Sequence, residues 1–211
     1  MVAKDALEKR RYVLTQHLIR LSFLGVAVGG AAVSQAFTMA TFADPSPTGT
    51  PSLFNIDTVN NQVSGGWSGT GLFFQTPGWS APDYADAKFS MAPVAIAPVA
   101  PGFWSTGAGQ VDFTDSANNL VFRINFASGN LSVNGVGGSD LFGNNVTFSG
   151  PLVPAGLSQE TFNFSFANFR STDSGLGATA AFTSSAVPEP GTLAALGLGG
   201  LALLRRRRKQ A

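Results

Sequence analysis

The sequence predicts an all-β fold, a single-domain β-sandwich of jelly-roll type, flanked by an N-terminal signal helix and a short C-terminal transmembrane helix. Three observations predict it. Short runs alternate apolar and polar residues with period two between Gly- and Pro-rich turns. Eighteen Phe among 211 residues supply large side chains to fill the space between two sheets. Each end carries an apolar stretch beside a cluster of cations. Charged residues make up only 12% of the chain against 25 Gly and 12 Pro, which argues against a charge-rich disordered tail and a basic nucleic-acid-binding module.

Residues 1–43 read as a signal peptide. Lys4, Lys9, Arg10, Arg11 and Arg20 outweigh Asp5 and Glu8, and the apolar run Leu21 to Val33 follows. That run is shorter than the roughly 20 residues of a spanning helix. Small residues then offer two cleavage sites, Ser34-Gln35-Ala36 and Thr41-Phe42-Ala43. Polar Thr15, Gln16 and His17, with Arg20, separate Arg10-Arg11 from the apolar core, which favours general secretion over the twin-arginine route.

Residues 44–186 read as the exported domain, with about nine strands. In Leu120 to Phe126, Leu120, Phe122, Ile124 and Phe126 point inward, and Val121, Arg123 and Asn125 outward. Thr161 to Phe166 repeats the scheme with Phe162, Phe164 and Phe166, and the phase breaks at Ala167-Asn168, which predicts a bulge. Ala178 to Ser184 pairs with that strand through a turn-rich connection. Leu53 to Val59, Gly71 to Thr76, Lys88 to Met91, Gln110 to Thr114, Asn130 to Asn134 and Val146 to Ser149 complete the set. The spaced prolines of Ala92 to Gly102 suggest an extended loop or edge strand.

At the C-terminus, Gly191 to Leu204 is uncharged and is followed by Arg205, Arg206, Arg207, Arg208 and Lys209. As a helix it would extend about 21 Å against a hydrocarbon core of about 30 Å. Arginine stems lying along the apolar layer and local bilayer thinning make up the difference for a transient anchor. Basic flanks stay cytoplasmic, so both ends face inward and the domain between them lies across the membrane. That domain holds three cations against nine carboxylates, a net charge of −6, which disfavours nucleic acid and anionic lipid as partners.

Val187-Pro188-Glu189-Pro190-Gly191-Thr192, an apolar segment and a terminal arginine cluster resemble the PEP-CTERM sorting signal of Gram-negative bacteria, here spanning 187–211. The resemblance implies recognition by exosortase, an integral-membrane transpeptidase-like enzyme, with processing near the motif. The protein would be anchored transiently in the inner membrane, then reach the cell surface or extracellular matrix, where such proteins accompany exopolysaccharide and biofilm. Pro188 and Pro190 hold the backbone extended and present Glu189 at the membrane boundary, which suits a protease groove.

The domain offers little for catalysis. There is no Cys, and the single His, His17, lies in the signal segment; Ser-His-Asp and Cys-His chemistry and nearly all zinc chemistry are therefore absent from the domain. A hydrolase would need paired carboxylates, such as Asp112 or Asp115 with Glu160. Asp112, Asp115, Asn118 and Asn119 offer calcium-type oxygens, and Gly135 to Gly143 faintly resembles one calcium-binding turn, but plain β-turns explain both. No catalytic residue, metal or cofactor is expected. Trp67, Trp79, Tyr84 and Trp104 are candidates for stacking on sugar rings or for plugging the core. The expectation is thus a structural or adhesive exported domain, with a carbohydrate-binding module engaging exopolysaccharide as the alternative.

Overall fold

The computed structural model describes residues 35–78, 82–134, 138–151 and 153–189. Twelve strands occur among them: β1 Phe37–Phe42, β2 Phe54–Asp57, β3 Gln62–Trp67, β4 Lys88–Ala100, β5 Phe103–Thr106, β6 Gly109–Thr114, β7 Leu120–Phe126, β8 Ser128–Asn134, β9 Gly138–Asn144, β10 Thr147–Ser149, β11 Leu157–Thr172 and β12 Gly175–Pro188. Every pairing is antiparallel.

Two long strands bind different partners along one edge. β12 pairs with β11 on one side, and on the other with β2 near its start and β1 near its end. β4 pairs with β3 on one side, and on the other with β6 at Lys88–Met91 and β5 at Ile96–Ala100. The order β4-β3-β2-β12-β11-β9-β8-β5 therefore returns to β4 and closes, with β6, β7 and β10 continuing from the other part of β4. The all-β class stands as expected. The architecture is one continuous barrel-like sheet where the sequence suggested a two-sheet sandwich. The helices expected at the two ends lie outside the described residues.

Aromatic side chains fill the interior, as the alternation requires. Phe162, Phe164 and Phe166 are buried between outward Asn163 and Ser165. Phe113 is fully buried, its ring centroid 4.7 Å from Phe74 and 4.9 Å from Phe182. These spacings fall within the favourable range for aromatic pairs. Glycine makes room for the rings at two places: a Cβ on Gly65 would stand 2.5 Å from the Phe54 ring, and one on Gly143 2.6 Å from Phe162.

Several expectations need adjustment. Register shifts between Ala167 and Arg170, and Asn168 has φ +52°, so the predicted bulge is present. Val121, expected outward, is buried, and it falls at the register shift where Phe113 pairs with Phe122 and Thr114 with Leu120. The Pro-containing segment is no loop: β4 runs through it, and Pro93 falls at the register shift between its neighbours' pairings, where the ladder loses nothing by lacking its N–H. Gly71 to Thr76 forms only the bridges Thr41–Gln75 and Phe74–Tyr84. Strands β1, β3, β5 and β9 had no counterpart in the strand reading.

Because Phe113 touches rings from several strands, Phe113→Ala in the exported protein should cost about 3–5 kcal/mol of unfolding free energy. A denaturant titration checks this, and a loss below about 1 kcal/mol would contradict the central role given to that ring.

Candidate functional site

The last residues of the sheet lead into the sorting motif. Leu157 pairs with Pro188 and Ser158 with Val187, so the first half of the motif belongs to β12. Ser158 Oγ donates to the Val187 carbonyl at 3.1 Å, and the Glu189 N–H donates to the Gly156 carbonyl at 2.8 Å. Gln159, at φ +50°, lies in a register shift between Ser158 and Thr161 that sets these two rungs apart from the longer ladder. Val187 and Pro188 are half-buried and Glu189 is exposed. On the opposite edge of β12, Phe37 pairs with Ala186. The chain therefore joins the sheet and leaves it on neighbouring strands at one end.

Residues 186–209 match the family described as the PEP-CTERM protein-sorting motif. The chain carries a PEP-CTERM sorting signal. It follows that this is an exported protein sorted by exosortase, a membrane protein, and held transiently at the membrane before release. No curated protein and no solved structure matches the chain. Pro190 and the cations Arg205, Arg206, Arg207, Arg208 and Lys209 lie outside the described residues, as do both apolar segments. Among the described residues no helix is long and apolar enough to cross a membrane.

Of the aromatic candidates, Trp67, Tyr84 and Trp104 pack against the core. Trp67 is half-buried, and its indole N–H is buried without a hydrogen-bond partner. Trp104 packs against the core on β5 opposite fully buried Leu131, which places its side chain on the inner face. Tyr84 lies 6.4 Å from Phe74 between ring centroids, and burial, then the Asp115 charge, raise its hydroxyl pKa. Trp79 lies outside the described residues.

The carboxylate candidates are each committed to local structure. Asp112 accepts both Nε and Nη2 of Arg123, at 2.6 and 2.7 Å, across the β6–β7 pair. Asp115 accepts the backbone N–H and side-chain amide of Asn119 at 2.8 and 2.9 Å, which hold its carboxyl below the ordinary range. Lys88 Nζ donates to Asn118 Oδ1 at 2.8 Å, so an ammonium occupies the loop considered for calcium. Burial raises the Glu160 carboxyl, whose Oε2 accepts the Phe148 N–H at 3.1 Å. Among the described residues no three His, Cys, Asp or Glu side chains cluster to hold a metal.

A different outward face escaped the sequence reading. Phe142 on β9 lies in register between Asn130 on β8 and Asn163 on β11, and 38% of its surface is exposed. Beside it, Asp140 accepts Ser132 Oγ at 2.6 Å and Asn163 Nδ2 at 3.3 Å. Exposed Phe103 pairs with Ser132 on the same face. The signal was Phe142 itself, hidden in a Gly-rich segment that looked like a turn.

A motif held in a ladder has to leave it before a protease groove can take the strand. The chain has no cysteine, so a Ser158→Cys, Val187→Cys pair can test this without competing thiols. We expect the oxidised double variant to remain unprocessed and reduction to restore processing, read by immunoblot of membrane fractions. Equal processing of both redox forms would show that the rungs need not open.

Proposed function

We propose that the barrel-like domain is a non-enzymatic structural or adhesive module delivered to the cell surface. The Phe37–Ala186 pairing carries this reading. It brings the points where the chain joins and leaves the domain to adjacent strands at one end, as expected of a globule tethered at both ends to one membrane. The acidic body, with its net charge of −6, is repelled by anionic headgroups once freed. Asp112, Asp115 and Glu160 already serve ion pairs, turns and backbone caps, which supports a role in structure over hydrolysis.

Replacing Pro188 and Glu189 together with Ala should leave export intact and keep the full-length protein in the inner membrane. Normal processing of that variant would refute the assignment of the motif as the exosortase recognition element. A surface-accessibility assay on the processed protein tests the destination.

The second reading, binding of exopolysaccharide, is favoured by the Phe142 face rather than by the tryptophans. An exposed ring between two carboxamides, beside a carboxylate and hydroxyls, offers a stacking surface with hydrogen-bonding groups at its rim, the combination that sugar rings require. The Asp140 carboxylate on this face would repel a polyanion, so a neutral glycan suits it better. On a glycan array, Phe142→Ala should abolish any binding while Trp104→Ala acts only through stability. Retained binding by Phe142→Ala would remove this face from consideration.

A further inference from the structure

We propose that signal peptidase cuts the chain between Ala36 and Phe37, so that the exported protein begins at the first residue of β1. The inference rests on the signal-peptide reading and decides between its two cleavage sites by what the fold can lose.

The segment between the two sites is part of the sheet. β1 pairs with β12 from Phe37–Ala186 to Phe42–Phe182. On its other side Thr41 and Gln75 exchange two backbone hydrogen bonds of 2.9 Å. Met39 and Ala40 are fully buried, and Phe42 stacks on Phe182 and Phe89 at 5.5 and 5.6 Å. Ser184 Oγ accepts the Ala40 N–H at 3.1 Å and donates to the Ala40 carbonyl at 3.2 Å, so both polar groups of that buried residue depend on β12. Phe37 itself occupies the space that Gly78 leaves open, since a Cβ there would collide with its ring.

A cut after Ala43 would remove this strand. It would bare one edge of β12 from Phe182 to Ala186, strip the Phe42 ring from Phe182 and leave buried Ser184 without either Ala40 partner. A cut after Ala36 removes nothing from the ladder. Gln35 and Ala36 are exposed, and Ser34 and Ala36 supply the small residues at the third and first positions before the bond. Hydrolysis adds one water across the Ala36–Phe37 peptide bond, leaving a carboxylate on Ala36 and an ammonium on Phe37.

N-terminal sequencing and intact mass of the exported full-length product test the site. A start at Phe37 is expected. A start at Asp44, or anywhere else within β1 or beyond, would overturn the inference while leaving the signal peptide intact as a reading. A product retaining Met1 would overturn the signal-peptide reading and the inference with it. In paired full-length variants, Ala36→Leu should cause loss of the processed species and accumulation of precursor, while Ala43→Leu, at an exposed position, should be processed at Phe37 as before. Block by Ala43→Leu alone would point to the downstream site and overturn the assignment.

Discussion

Strand β12 is the constraint on which the rest of the structure depends. It pairs with β11 along nearly its whole length, with β2 at its start and with β1 at its end, and its last three residues belong to the sorting motif. Alternation along it places Ala178, Ala180, Phe182, Ser184 and Ala186 inside. Small residues flank the one aromatic, which lets rings from other strands converge on Phe182; Phe42, Phe113 and Phe164 all lie within 5.5 Å of it between centroids. Core packing and targeting signal thus share one continuous backbone, with no linker between them.

This sharing gives the two ends unequal roles. Upstream, the apolar segment gives way at Gln35 and Ala36 to a strand that the core requires. Downstream, β12 ends at Pro188, and Glu189 adds one backbone hydrogen bond to Gly156. A cut before Val187 would take away two rungs, whereas a cut beyond Glu189 leaves every described rung in place. The Gln159 bulge lies between those two rungs and the main ladder, so opening them need not propagate into the Thr161–Ala167 pairing, where buried Phe162, Phe164 and Phe166 hold β11 against the core.

Much of the fold was legible wherever a strand had one wet face. Phe162, Phe164 and Phe166 alternate with polar residues, and that pattern has only one extended reading; the break at Ala167-Asn168 marked the bulge for the same reason. β1 was hidden because Phe-Thr-Met-Ala-Thr-Phe, set after an apolar run, has the small and apolar character of a cleavage region as much as of a strand. β9 was hidden by glycine: Gly143 packs against Phe162 and Phe126 rather than marking a turn. The closure of the sheet was not readable at all, because it depends on β4 changing partner from β6 to β5 partway along, a tertiary choice that leaves no local periodicity. At the candidate site, the motif was plain from residue types, while its incorporation into β12 was not, since Pro188 and Pro190 lack the N–H that an interior rung requires and Pro188 stands only at the end of β12.

The same reasoning explains why Trp67 and Trp104 pack against the core while Phe142 meets water. Trp67 and Trp104 sit at positions whose cross-strand neighbours, Phe89 and Leu131, are buried, and paired residues share a face. Their indoles therefore had to turn inward, even at the cost of leaving the Trp67 N–H without a partner. Phe142 has Asn130 and Asn163 as its neighbours, and two carboxamides in register commit that row to solvent. In a closed sheet whose interior mixes phenylalanine rings with aliphatic side chains, the chemical character of the row, rather than the size of the side chain, decides which ring meets water.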